Sequence, residues 1–296
     1  MNARALVAAF LLVAGSAVPA WAQSLTFQPK NSDQPIVVDA ESGIEVQQDT
    51  KRVIARGNAR AAQGEVSIVG DELIAQYRTN PDGSNEVYRV FAAGNVTMRS
   101  TDETATGASA VYDFDKGVLV LEGDQVRLTN ADGTVTARKA LQYWANERVA
   151  VADGDAFAED REKRRVYADK LVAFFREGAA PEKPTAVSAA ARGRGDISYI
   201  QGFGNVRVET PQETVRGQRA TYNVDTGIVT LDGAVRMTQN NNILAGEYAV
   251  VNLRGGRSQV FSTRQGGMTG TRENERVRAL IAPSSKPDPV PAKAKP

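Results

Sequence analysis

The chain has 296 residues, with 36 Lys plus Arg against 35 Asp plus Glu and neither Cys nor His. Without imidazole or thiol, every His- or Cys-based nucleophile, general base, zinc site, haem site and iron–sulfur site is excluded, and no cofactor or metal is expected. A formal net charge of +1 leaves no electrostatic footprint for nucleic acid.

Residues 1–22 read as an export signal. Arg4 supplies a charged start, an apolar run follows, and Ala20-Trp21-Ala22 is an A-x-A cleavage site, so cleavage is expected between Ala22 and Gln23. The run breaks at Gly15-Ser16 and Pro19, short of the roughly 20 apolar residues that span a bilayer. The mature product is therefore expected to be soluble and extracytoplasmic, with residues 23–35 as a lead.

From residue 36 onward the chain alternates with the period of two expected of half-buried strands. The stretch 227–238 is the clearest case: Val229, Leu231, Val235 and Met237 share one face, and Thr230, Arg236 and Thr238 the other. Residues 117–129 repeat the design with one extra residue after Gly123. Asn80-Pro81-Asp82-Gly83, Asn130-Ala131-Asp132-Gly133 and Asp225-Thr226-Gly227 supply hairpin chemistry between alternating runs, so neighbouring strands should pair antiparallel. Gly57, Gly94, Gly123, Gly154, Gly204 and Gly233 each interrupt an alternating run, several of them about 30 residues apart, which is the spacing of stacked repeats. Glycine inside a strand marks a bend or bulge. The competing reading is an ordinary antiparallel sandwich with coincidental spacing.

The expected organisation is a β-array over 36–178, a Pro- and Ala-rich linker or long loop over 179–195, and a second β-array over 196–262. A short helix over 272–281 and a Pro/Lys-rich tail fill 263–296.

Catalytic signals are thin. Asp113 and Asp115 flank a turn that explains both. Gly193-x-Gly195 and Gly202-Phe203-Gly204 lack a third glycine and a following helix, so neither cradles a dinucleotide. Arg161, Lys163, Arg164 and Arg165 follow four acidic residues and read first as a solvated turn, with phosphate groups on a ligand as the functional alternative. The triplet Asn95-Val96-Thr97 matches a glycosylation acceptor only by letters.

Several stretches carry a family resemblance. They are Leu231-Asp232-Gly233-Ala234-Val235-Arg236-Met237, then Leu244-Ala245-Gly246-Glu247-Tyr248, then Gly256-Arg257-Ser258-Gln259-Val260, and near the start Arg56-Gly57-Asn58, Gly64-Glu65-Val66-Ser67-Ile68-Val69-Gly70-Asp71 and Ala93-Gly94-Asn95-Val96-Thr97. Together they resemble the LptA (OstA-like) family of periplasmic lipopolysaccharide-transport proteins. The resemblance covers most of 36–262, through distributed strands rather than one motif. It implies a mainly β protein, an elongated open antiparallel β-jellyroll folded as a trough and interrupted by the linker, that is not an enzyme. On that reading the apolar inner wall takes up lipid A acyl chains, and the inward residues are Ile36, Val38, Val66, Ile68, Val96, Met98, Leu119, Leu121, Val126, Leu128, Val206, Val208, Val229, Leu231, Val235 and Met237. It also implies lipopolysaccharide as cargo, an LptC-like inner-membrane partner at the N-terminal edge, an LptD-like outer-membrane partner at the C-terminal edge, and head-to-tail self-association. The physical need is clear. At about 0.8 kcal/mol per methylene, one acyl chain of about a dozen carbons costs on the order of 10 kcal/mol to expose to water. The alternative is a structural β-repeat scaffold of the cell envelope whose inner face is fully packed.

Overall fold

The computed structural model describes residues 36–176, 197–240, 242–262 and 276–281. The export signal, the cleavage site and the 179–195 linker lie outside them. All regular structure in the described residues is β, in one antiparallel sheet of eighteen strands.

Long strands follow one another as neighbours, and short consecutive strands share one long partner between them. At the first edge, β1 (Val37–Asp39) and β2 (Gly43–Gln47) pair with opposite halves of β3 (Arg52–Gln63). Then come β4 (Val66–Thr79), β5 (Asn85–Arg99) and β6 (Glu103–Asp113). Next, β7 (Val118–Glu122) and β8 (Val126–Asn130) divide β6 between them, and β9 (Gly133–Ala137) and β10 (Ala140–Trp144) divide β11 (Val149–Asp160). After β12 (Arg165–Phe175), β13 (Ile197–Glu209), β14 (Thr214–Asn223), β15 (Ile228–Gln239) and β16 (Asn242–Asn252), the last edge is shared by β17 (Arg257–Phe261) and β18 (Arg278–Leu280). The expected helix over 272–281 is thus corrected where it is described. Arg278–Leu280 is extended and pairs with Ile243 to Ala245, because the free half of β16 offers a ladder that a three-residue helical turn does not.

The glycine punctuation explains the architecture. At Gly57-Asn58, Gly94-Asn95, Gly154-Asp155, Gly204-Asn205 and Gly233-Ala234 both residues have positive φ, and the register shifts so that two residues oppose one. These bulges bend each long strand into two arms. The inward side chains of both arms then pack in a main hydrophobic cluster running from Ala55 to Val251, with a smaller one around Tyr143 and Phe175. The fold is a bent, open antiparallel β-jellyroll, a trough about 60 Å long at roughly 4.8 Å per strand step. Among the described residues, β1 and β2 pair only with β3, and β17 and β18 only with β16, so both ends are free edges.

Asp113 anchors the β5–β6 pair from outside. Its side chain is almost buried, and that desolvation opposes ionisation, but the Arg89 guanidinium and the Lys116 backbone N–H donate to it and hold its pKa below the ordinary carboxylate range. A carboxylate with a lowered folded-state pKa stabilises fully above its unfolded value near 3.9, and that contribution is lost as pH falls through the folded value. Acid titration of thermal stability should therefore steepen below about pH 4, and Asp113→Asn should flatten that slope.

Candidate functional site: an apolar cavity in the trough

The inner wall is built by parity. On β15, Val229, Leu231, Val235 and Met237 are all nearly or fully buried, while Arg236 between them is exposed. Of the sixteen residues expected to face inward, Val66, Ile68, Val96, Met98, Leu119, Leu121, Val126, Leu128, Val206, Val208, Val229, Leu231, Val235 and Met237 are buried in the main cluster, and Val38 packs against it half-buried. Ile36 does not join them; it lies before the first strand and is 38% exposed.

Burial and openness are different properties, and part of the wall borders a cavity. A cavity of about 530 Å³ lies in the middle of the array, within the size range of ligand pockets. Met98, Leu119, Leu121, Leu128, Val208 and Val229 face it, whereas Leu231, Val235, Val66 and Ile68 are covered by protein atoms and lie outside its lining. The lining places this cavity at the centre of the trough.

Sequence reasoning missed a second set of cavity residues: Ala150, Leu171, Ala173, Ile200 and Tyr222. Their register shows why they belong together, since Ala150, Ala173, Ile200, Tyr222 and Val229 are cross-strand partners over five adjacent strands. Small alanines at the first two positions leave room that leucines elsewhere fill. The interior carries no ionised group on this row; burial pushes the Tyr222 phenol up, and the deeply buried Tyr112 phenol further still.

One mouth of the cavity is charged. The β11–β12 turn brings Glu159, Asp160, Arg161, Glu162, Arg164 and Arg165 to its rim beside Asp132. Arg161 pairs with Asp132, Lys163 and Arg165 with Glu159, and Arg164 with Asp160 and Glu162. Hydrogen bonds from Arg165 and Lys163 hold the Glu159 carboxyl below its usual range. Every cation of this cluster thus has a carboxylate partner, and an incoming anion would have to displace one.

Two successive segments, 37–148 and 146–257, match the family described as LptA/(LptD N-terminal domain) LPS transport protein. The chain belongs to this family. It carries the family's domain twice, the two copies meeting at the turn between β10 and β11, and the residues 177–196 fall inside the second copy. The same corner recurs in each: Asn95 Nδ2 donates to Asp71 at 3.1 Å in the first, and Asn205 Nδ2 to Asp169 at 3.0 Å in the second. The family's description is that of a lipopolysaccharide-transport protein. Among curated proteins, an uncharacterized protein of Rhizobium meliloti (strain 1021) is 26% identical over 103 residues, covering 33% of this chain and 55% of that protein. The chain thus spans about half the length of that relative. Among solved structures, LptH of Pseudomonas aeruginosa, described as the LptA homologous periplasmic component of the lipopolysaccharide transport device, is 14% identical, with 84% of this chain and 96% of that one covered and a TM-score of 0.22.

Proposed function

We propose that this protein shelters the acyl chains of lipopolysaccharide in its central cavity during passage between membranes. The observation that carries the reading is a 530 Å³ cavity, lined by Val, Leu, Ile and Ala, inside a transport-family fold. Flexible apolar chains suit such walls better than sugars, which call for aromatic platforms. The competing scaffold reading requires a fully packed interior, and the open centre does not fit it. The charged rim at 159–165 is where phosphate groups on the lipid would lie, exchanging for the carboxylates now paired with Arg161, Lys163, Arg164 and Arg165. Uptake tests the reading. Delipidated protein mixed with lipopolysaccharide should retain it through gel filtration, and a variant with its cavity blocked should not.

The proposal extends to location and partners. The export signal and the A-x-A site at 20–22 support a periplasmic mature protein. The two free edges support end-on pairing, an LptC-like partner at β1 and β2, an LptD-like partner at β17 and β18, and head-to-tail contacts between copies, which do not close and so build filaments. Val37, Ile44 and Val46 stand exposed on the first edge. Val251, in contrast, is an interior position, since β16 is covered by β17 and β18, so a proline there would break the core ladder rather than an edge. The edge itself is tested on β17. Consecutive N–H groups of an edge strand alternate between the neighbouring strand and the outside. One of Gln259→Pro and Val260→Pro should therefore preserve the fold while lowering outer-membrane partner capture at least tenfold.

A further inference from the structure

A second charged feature stands on the outside of the trough, away from the cavity rim. Arg207, Arg216 and Arg236 are direct cross-strand partners on β13, β14 and β15, and the same row continues through Ala245 to Arg278 on β18. Their chain neighbours Val206, Val208, Val215, Val235 and Met237 are buried, so these arginines project outward. Four arginines on five adjacent strands span about 19 Å. Like charges placed directly opposite one another destabilise a sheet. Arg207 is compensated, lying 3.3 Å from Glu209 and 3.9 Å over the Tyr167 ring. Among the described residues Arg216 and Arg236 have no carboxylate partner, unlike Arg89, Arg164 and Arg165 elsewhere on the sheet. The next outward row supplies Thr214, Thr238, Ile243 and, at its end, Leu280, which is 61% exposed.

A row of guanidinium groups, uncompensated at Arg216 and Arg236, with an exposed leucine beside it has the chemistry of an interfacial surface: cations for phosphates, an apolar side chain for the acyl boundary. Its length exceeds what one free phosphate needs and fits a planar array of anions. We propose that this arginine stripe docks the trough, outer face down, on the phosphate headgroups of an anionic bilayer. The proposal is independent of what the cavity holds.

The test is co-sedimentation of the full chain with phosphatidylcholine vesicles, with and without one-third phosphatidylglycerol. Binding is expected only to the anionic vesicles, and should weaken as salt rises. At about fivefold per arginine, Arg216→Gln with Arg236→Gln should weaken it about thirtyfold. Thermal stability should hold or rise in that variant, because a repulsion has been removed. Arg99→Gln with Arg127→Gln removes the same charge from the same outer face away from the stripe, and should leave binding nearly unchanged. Equal loss in both double variants would reduce the effect to net charge and overturn the proposal. So would displacement of wild-type protein from vesicles by millimolar inorganic phosphate, or retention by an acidic peptide in place of vesicles.

Discussion

Gly94→Ala should lower the stability of the folded chain by about 2–4 kcal/mol, far more than a one-carbon change elsewhere on the surface. Two effects add. Gly94 has φ of 74°, in the left-handed region, where a Cβ costs roughly 1–2 kcal/mol. The new carbon would also overlap the Asp71 carboxylate on the neighbouring strand, breaking the hydrogen bonds by which Asn95 Nδ2 ties the bulge to Asp71. Gly83 provides the control: its φ is 83°, nearly the same, but nothing lies within 4 Å of a Cβ there. Gly83→Ala should therefore show only the backbone part, and the difference between the two variants measures the corner. Chemical denaturation of the three proteins is the measurement. Combining Gly94→Ala with Asp71→Ala should recover part of the loss, since the carboxylate contributes the closest overlaps.

Ala150→Trp should reduce lipopolysaccharide uptake at least tenfold while leaving the protein folded. Ala150 faces the cavity at one end of the Ala150, Ala173, Ile200 row, so an indole there occupies the space an acyl chain would take. The cavity accepts the added bulk, so the usual overpacking cost of about 1–3 kcal/mol should be at its low end. Val149→Trp, one residue earlier and facing outward opposite Phe174, should bind normally. Loss of binding in both, or in neither, would separate the cavity from cargo.

The strand pattern of the bulged strands was plain in the sequence for a definite reason. On β15 the two bulge residues keep Leu231 and Val235 an even number apart, so simple alternation runs straight through the corner and Val229, Leu231, Val235 and Met237 can be read in one pass. Their unbulged partners contribute one residue where the bulge contributes two. On β14 the inward positions jump from Val215 and Gly217 to Ala220 and Tyr222, an odd step that breaks the period. The same slip hides Ala168 and Leu171 on β12. Alternation therefore identified inward residues on β4, β5, β7, β8, β13 and β15, and passed over Ala150, Leu171, Ala173, Ile200 and Tyr222, which complete the cavity wall. The location of the cavity was not legible at all, because it depends on where alanines from several strands coincide in register. Pairing of the rim cations was half legible: acidic and basic residues are interspersed along 159–165, but that Asp132 from a neighbouring hairpin completes the set emerges only from the fold. Where it is described, at 276–281, the expected helix gives way to a strand because local propensity competes there with an unpaired stretch of β16.

The most direct test of the central claim uses two adjacent residues on β13. Ile200 faces the cavity and Gln201 faces outward, both are half-buried, and neither carries a polar contact needed for folding. A photo-crosslinking amino acid placed at each position should, on loading with lipopolysaccharide and irradiation, label strongly at 200 and at background level at 201. Equal labelling at the two positions, or stronger labelling at 201, would mean that the lipid does not travel inside the trough.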